Sequence, residues 1–447
     1  MLDPKVIREN PNKVKQNILE RGLSGPQFDV DGFLRVDEKR KIVNQELEAL
    51  RSVRNKLSDT VGKPSEEVIT KVRETKESIK ALEEALKELN AKWTWYMDWF
   101  PNMADPSAPV GKNETSNKEV KAWSPGSGYF KEAQLGNKDF SEKWMPRHQF
   151  HTKDHLELGE SLDIIDIKQS ALVSGSRFVY LKKEAALLQY ALFEHLQQKL
   201  LSEGFTPMVV PLMVKRRALH SSSHFPGDED QVYKIAKNGI EDSEDMFLVG
   251  SSEPSLFAYY MDKTLQPNAL PQKFFAFTPC FRTEVGSWGK DVRGIKRVHQ
   301  FDKLEMDLLC APEDSEKLHD YLLSINEWFL QSLGLPYHIL LMCTGDLGYF
   351  AAAKKYDFEA WLPHQNEFIE LGSDTNAKDY QARRYNTKFK DQAGNLHYVH
   401  TVNDTGCAIG RTLVAVLENY QQADGSVVIP KALVPYMHGI EIISPNS

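Results

Sequence analysis

Between Val36 and Phe100 the apolar residues fall on a repeat of seven. Val36, Val43, Leu50 and Leu57 form one row, and Leu47 and Val61 each stand four residues after a member of it. Gly62-Lys63-Pro64 interrupts the repeat. A second row, Val68, Val72, Thr75, Ile79, Leu82, Leu86, Leu89, Trp93, Tyr96 and Phe100, alternates steps of four and three without a miss. That spacing keeps an apolar seam on one side of a helix. Ser65 can cap the second helix, and Glu66 and Glu67 suit the positive end of its dipole. Two helices of similar length joined by a short Gly-Pro turn run antiparallel, so the pattern predicts a helical hairpin over about 30–100. Pro101 and the Pro-bearing stretch 105–109 end it.

Beyond the hairpin the pattern is mixed. Residues 104 to 128, with Gly, Ser, Asn and Pro, read as a linker. Strand-like and helix-like stretches then alternate without a βαβ rhythm. One passage stands out. Residues 274 to 281 are rich in Phe and lead into Arg282-Thr283-Glu284. Gly286 to Arg297 holds three Gly and four Lys/Arg, and Val298 to Leu309 alternates again. Two strands joined by a basic, Gly-bearing loop make a cradle for a polyanion: the backbone can approach closely, and Arg grips phosphate through paired hydrogen bonds.

Composition narrows the classes. At 447 residues the chain has room for two or three domains, and 41% hydrophobic residues permit a large core. The net charge of −8 gives no general affinity for nucleic acid, so any RNA contact must come from local basic patches. No apolar run approaches membrane-spanning length, and the opening residues lack a signal-peptide pattern. Cys280, Cys310, Cys343 and Cys407 form no Cys-x-x-Cys pair and read as buried thiols of a cytoplasmic protein. Asn113 and Asn403, each in an Asn-x-Thr sequon, are then chance matches. No Gly-x-x-x-x-Gly-Lys-Ser/Thr occurs, which sets aside a P-loop, and neither His-Ile-Gly-His nor Lys-Met-Ser-Lys-Ser is present.

The passage from Phe277 to Glu305 resembles motif 2 of the class II aminoacyl-tRNA synthetases. Its ending, Arg-Val-His-Gln-Phe-Asp-Lys-Leu-Glu, is similar to that of the seryl-tRNA synthetases in particular. Residues 406 to 422, Gly-Cys-Ala-Ile-Gly-Arg-Thr-Leu-Val-Ala-Val-Leu-Glu-Asn-Tyr-Gln-Gln, resemble motif 3, a strand running into a helix with Arg411 near the junction. The opening Met-Leu-Asp-Pro-Lys-Val-Ile-Arg-Glu-Asn-Pro, Val-Ser-Gly-Ser-Arg-Phe at 173–178 and Gln-Ala-Arg-Arg at 381–384 fall in the family's order. The resemblance covers essentially the whole chain.

It implies an α+β protein: an N-terminal antiparallel coiled-coil arm within a tRNA-binding domain at 1–110, then a class II catalytic domain at 111–447 with an antiparallel sheet flanked by helices. Motif 1 would span the helix 182–201 and the strand through Pro211, and would form the interface of a homodimer. The implied reaction activates L-serine with ATP, releases pyrophosphate and passes serine to tRNA(Ser), with tRNA(Sec) an open second acceptor. Adenylate formation requires no protein nucleophile. Positioning and charge neutralisation do the work. By match, Arg282 holds the α-phosphate and the substrate carboxylate, and Arg411 the far phosphates. Phe301 stacks on adenine beside Glu284, Thr283 and Val298. Glu370, Leu371, Gly372 and Ser373 bind ATP, with Glu370 and Ser373 holding Mg²⁺. Ser251, Ser252 and Glu253 take the amino group of serine, and Glu305 and Thr405 its hydroxyl.

Three departures from the family's pattern bear on that pocket. Ser251 stands for a Thr. Gly372 stands for a Ser, followed by Asp374-Thr375-Asn376 in place of Cys-Ser-Asn. His220-Ser221-Ser222-Ser223-His224-Phe225-Pro226 stands where Gly-Thr-Gly-Gln-Leu-Pro is common. His148, His151 and His155 have the spacing of metal ligands, but no acidic or Cys partner completes a set, so zinc is not expected. The basic residues of the hairpin, among them Lys39, Arg40, Arg51, Arg54, Lys71 and Arg73, fit phosphate contacts to the tRNA or a merely solvated coiled coil. Two further alternatives stay open: a paralogue that hands its adenylate to a carrier protein, and a non-catalytic RNA-binding homologue.

Overall fold

A computed structural model describes every residue except 59–64, 131–144, 237–243, 287–293, 349, 446 and 447. The twelve described α-helices are α1 (Pro4–Glu9), α2 (Pro11–Glu20), α3 (Val30–Ser58), α4 (Glu66–Trp99), α5 (His155–Ser161), α6 (Ile167–Ser174), α7 (Lys183–Ser202), α8 (Arg216–Ser222), α9 (Glu253–Ala258), α10 (Ser315–Ser332), α11 (Tyr380–Tyr385) and α12 (Ile409–Tyr420). The chain divides into two compact units, Met1–Pro101 and Asn102–Ser447.

In the first unit α3 and α4 form the hairpin. Their cross-contacts show the direction: Arg40 Nε donates to Asn90 Oδ1 at 2.7 Å and Arg51 Nη2 to Glu83 Oε1 at 2.7 Å, so one number rises as the other falls. Ser65 caps α4 by accepting from Val68 N. Between Val68 and Tyr96 the positions shielded from solvent are the ones the four–three row selects, and no others. The turn at 62–64 lies outside the described residues. At the base of the hairpin Phe33 packs against Trp93, Tyr96 and Phe100, with ring centroids 6.0, 6.2 and 5.5 Å away. Beside this knot the buried Asp37 takes two hydrogen bonds from Arg8, at 2.7 and 2.8 Å, and one from the Trp93 indole at 3.0 Å. Burial alone would raise the Asp37 carboxyl. Arg8, Lys41 and Trp93 outweigh it and hold the group well below the usual carboxylate range.

The second unit begins earlier than the expected boundary at 110. Asn102 Nδ2 donates to the carbonyls of Ala351 and Ala377, and Asp105 pairs with Lys378 at 2.8 Å, so this stretch is fixed to the unit that follows. The expected linker at 104–128 is also corrected. It contains β1 (Lys118–Ser124) and part of a nine-stranded sheet completed by β2 (Gly128–Tyr129), β3 (Thr206–Pro207), β4 (Gln272–Phe281), β5 (Gln300–Cys310), β6 (Tyr337–Leu341), β7 (Lys354–Leu362), β8 (Glu367–Lys378) and β9 (His400–Ala408). β1 escapes hydropathy reading because Glu119 takes a buried position, where it meets His338 Nδ1 at 2.9 Å.

The strand order is β2-β1-β6-β7-β8-β9-β5-β4-β3, antiparallel throughout except between β3 and β4. Strand alternation sorts β5 into two faces. Leu304, Met306 and Leu308 join a core with Leu188 and Leu192 of α7, Leu322 of α10 and Leu413 of α12. Lys303 and Glu305 point the other way and line a cleft. The sheet is thus covered by helices behind and functionalised in front.

Candidate active site

The cleft encloses about 600 Å³. Strands β4 and β5 supply one wall. Backbone pairing brings Phe281 opposite Gln300, and Arg282 N then donates to His299 O at 3.0 Å, so the first residue past β4 is fixed at the rim. Arg282 Nε donates to Gly250 O at 3.2 Å, and its guanidinium carbon stands 5.4 Å from the centre of the Phe301 ring. Glu284 and Val298 line the same space. Arg177, from the 173–178 stretch, donates to the carbonyl of Glu284 at 3.0 Å. The loop residues 287–293, part of the expected basic cradle, lie outside the described residues.

The opposite wall comes from β7, β8 and α12. Arg411, the third residue of α12, donates from Nη1 to Glu370 O at 2.8 Å and stands 3.2 Å from Glu370 Oε2. Burial would raise Glu370, but Arg411 and then Lys355 outweigh it and hold the carboxyl below its ordinary value. Leu371, Gly372 and Ser373 follow along β8. A Cβ at Gly372 would come within 2.6 Å of both Phe358 and Thr405 side-chain atoms. The departure from Ser is therefore a packing consequence of Thr405 and Phe358.

At the far end of the cleft the groups are acidic. Glu253 opens α9, buried, and Ser251 Oγ accepts from its backbone N–H at 3.3 Å. Gln381 of α11 donates to Glu253 Oε1 at 2.5 Å while also bonding Ser222 O and receiving Thr401 Oγ1. Burial, reinforced by Glu305, pushes the Glu253 carboxyl up to about 8. Glu305 is 2% exposed and pairs with Lys303 Nζ at 2.5 Å. Thr405 on β9 stands directly opposite Glu305. His224 reaches the cleft from the departing loop, its Nδ1 2.8 Å from Ser222 Oγ. Loss of water, then Arg282 and Lys303, lower its imidazole to about 3, so it is neutral.

Thus Arg282, Glu284, Val298, Phe301, Glu370, Leu371, Gly372, Ser373 and Arg411 share one cleft with Ser251, Glu253, Glu305 and Thr405. Thr283 and Ser252 do not line it. Thr283 Oγ1 donates to Asp230 O at 2.5 Å and ties the motif to the neighbouring loop, and Ser252 is buried. Sequence reasoning missed Lys303, Lys355 and Asn403, all of which line the space, while His224 comes from the 220–226 segment flagged above. Lys303 was open to detection, since it shares the period-two face of Glu305. Lys355, paired with Asp357 at 3.3 Å, carries no such local signal. His148 and His155 are engaged by Glu418, and His155 Nε2 also accepts from Ile295 N. Among the described residues no group of three His, Cys, Asp or Glu side chains is arranged for a metal ion.

Residues 1–104 match the model of the seryl-tRNA synthetase N-terminal domain, and residues 233–420 that of the class II tRNA synthetase core domain for G, H, P, S and T. A serine–tRNA ligase of Dictyoglomus thermophilum is 41% identical over 452 aligned positions, covering 100% of both chains. The chain belongs to the serine–tRNA ligase family. A crystal structure of the Pyrococcus horikoshii seryl-tRNA synthetase, complexed with ATP, superposes with a TM-score of 0.88 at 37% identity over 100% of both chains. That of a cytoplasmic serine–tRNA ligase from Naegleria fowleri, in complex with AMP, gives 0.83 at 28% identity, over 100% of this chain and 99% of the other. Both family features, a helical hairpin and a sheet with its cleft, are those described above.

Proposed function

We propose that this cleft activates serine with ATP and that the chain then charges tRNA(Ser). A single juxtaposition carries the reading: an arginine-flanked aromatic wall and a buried Glu–Lys–Glu end meet in one cavity. The cationic end suits a triphosphate. Arg282 sits where it can grip the α-phosphate and the serine carboxylate together, which brings nucleophile and phosphorus into line. Arg411 stabilises charge on the departing pyrophosphate. Phe301 offers adenine a face. The acidic end suits a small ammonium and hydroxyl: Ser251 and Glu253 receive the amino group, while Glu305 and Thr405 read the hydroxyl. Alanine would leave those buried polar groups without a partner.

Magnesium fits as a companion of ATP. It keeps several waters and takes one or two carboxylates with phosphate oxygens. Glu370 is an ionised carboxylate on the cleft wall, and Ser373 adds an oxygen on the same strand. Bound there, the ion would neutralise phosphate charge.

The arm is assigned to tRNA. A self-contained helical hairpin with Arg and Lys along its outside has reason to position an RNA by its backbone. Dimerisation is assigned to α7 and the strand through Pro211, where Tyr190, Leu201 and Val209 are 62%, 47% and 104% exposed and call for a partner surface. Cytoplasmic location belongs to the same proposal. No helix among the described residues is long and apolar enough to cross a membrane.

Serine-dependent ATP–pyrophosphate exchange, followed by charging of total tRNA, tests the whole reading. Exchange with charging is expected. Exchange without charging would favour an adenylate-donating paralogue, and neither would favour a non-catalytic homologue.

A further inference from the structure

The acidic end of the cleft is aimed from outside it. Glu253 Oε1 accepts a hydrogen bond from Gln381 Nε2 at 2.5 Å. The same nitrogen donates to Ser222 O at 2.9 Å, and Gln381 Oε1 accepts from Thr401 Oγ1 at 2.7 Å. All four residues are buried. A carbonyl only accepts, so the NH₂ side of the amide must face Ser222, and its two hydrogens go to Ser222 O and Glu253. Three residues further along α11, Arg384 Nη1 donates to His220 O at 2.7 Å and to Phe225 O at 3.1 Å. Thus α11 holds the 220–226 segment by three backbone carbonyls. Carbonyls stay the same whatever the side chains, so the segment can depart from the family's pattern while the grip on Glu253 remains. The donor is also neutral. It directs the Glu253 carboxyl without supplying a positive charge, and Lys303 is paired with Glu305. The charge that completes Glu253 is one that a ligand brings.

We propose that Gln381 is a positioning residue for recognition of the substrate's amino group, holding Glu253 aimed into the cleft before serine arrives. This rests on the serine-activating reading above. Gln381 stands behind Glu253, outside the residues that line the cleft, and acts only through it. A carboxyl held by an amide that is itself anchored on α8 and β9 meets the ammonium group in place. The amino group is bound alike in the ground state and the transition state, so the effect falls on the KM for serine and not on kcat. Reading of the hydroxyl by Glu305 and Thr405, and ATP binding at the other end of the cleft, do not pass through this set of contacts.

Steady-state pyrophosphate exchange by the intact protein tests the role. Gln381→Met keeps the length of the side chain and removes the donor. The KM for serine should rise about tenfold or more, the effect of a lost hydrogen bond to a charged group. The kcat, the KM for ATP and the preference for serine over alanine should stay near wild type. Thr401→Val removes only the far anchor of the amide and should raise the KM for serine by less. A wild-type KM for serine in folded Gln381→Met overturns the proposal. Should that variant not fold, a wild-type KM in Thr401→Val overturns it equally. An equal rise in the KM for ATP, or loss of the serine-over-alanine preference, makes Gln381 a packing residue and also overturns it. Each of these outcomes leaves serine activation by the unaltered chain standing. Absence of serine-dependent exchange in the unaltered chain would instead sink the functional reading itself.

Discussion

Arg411 illustrates how far one side chain is committed by its surroundings. Its position at the start of α12 and its bonds to Glu370 aim it into the cleft. Arg411→Ala should lower pyrophosphate exchange about 10²–10³-fold with the fold intact, because a charge contact to the leaving group is removed. Near-normal exchange in a folded variant would reject the role. Glu305→Ala should lose serine-over-alanine preference by at least about tenfold as well as rate, since the hydroxyl loses a buried acceptor. An unchanged preference with a uniform rate loss would exclude Glu305 from reading the hydroxyl. Glu305 is buried and stands opposite Thr405, which suits it to that contact. The motif resemblance was enough to name the arginines and Glu305, which the fold brings into one cleft. It was not enough for Lys355, which reaches the cleft only through tertiary packing. Nor did it explain Gly372, whose reason lies across the sheet in Phe358 and Thr405.

The helical hairpin was written almost completely in the chain, because a two-helix seam needs only local periodicity and a cap. Its buried charge was not. Asp37 interrupts no pattern, yet it joins α1, α3 and α4 through Arg8, Lys41 and Trp93. Asp37→Asn should destabilise the N-terminal unit by about 1–3 kcal/mol, read by thermal unfolding of that unit. The sign with pH follows from the lowered carboxyl. Its contribution is complete above the unfolded value of about 4 and is lost as pH falls toward the folded one. A wild-type arm that keeps its full stability through that acid range would contradict the assignment. β1 is the opposite case: its buried Glu119, which meets His338 across the sheet, hid the strand. Replacing Val36–Phe100 by a short Gly/Ser linker should leave pyrophosphate exchange nearly unchanged and abolish charging at low tRNA concentration. Charging by the armless protein at the intact kcat/KM would make the arm a solvated coiled coil.

For the molecule as a whole, a 51.0 kDa chain should sediment as a dimer at micromolar concentration, since two-fold closure is the commonest way to cover such apolar surface. A monomer would refute the assignment of the surface around α7. The sheet order was beyond sequence reasoning, because eight connections of differing length must be known before β9 can be placed between β8 and β5. The arm has one more consequence. Its register is set where Phe33, Trp93, Tyr96 and Phe100 interlock, at the end nearest Pro101, while the seam farther out only repeats. Such a design behaves as a ruler with a fixed zero. Adding or removing one heptad from each helix moves the tip by about 10 Å and leaves the zero untouched. With the arm assigned to tRNA as proposed above, its reach can therefore be retuned in whole steps, with no change at the root.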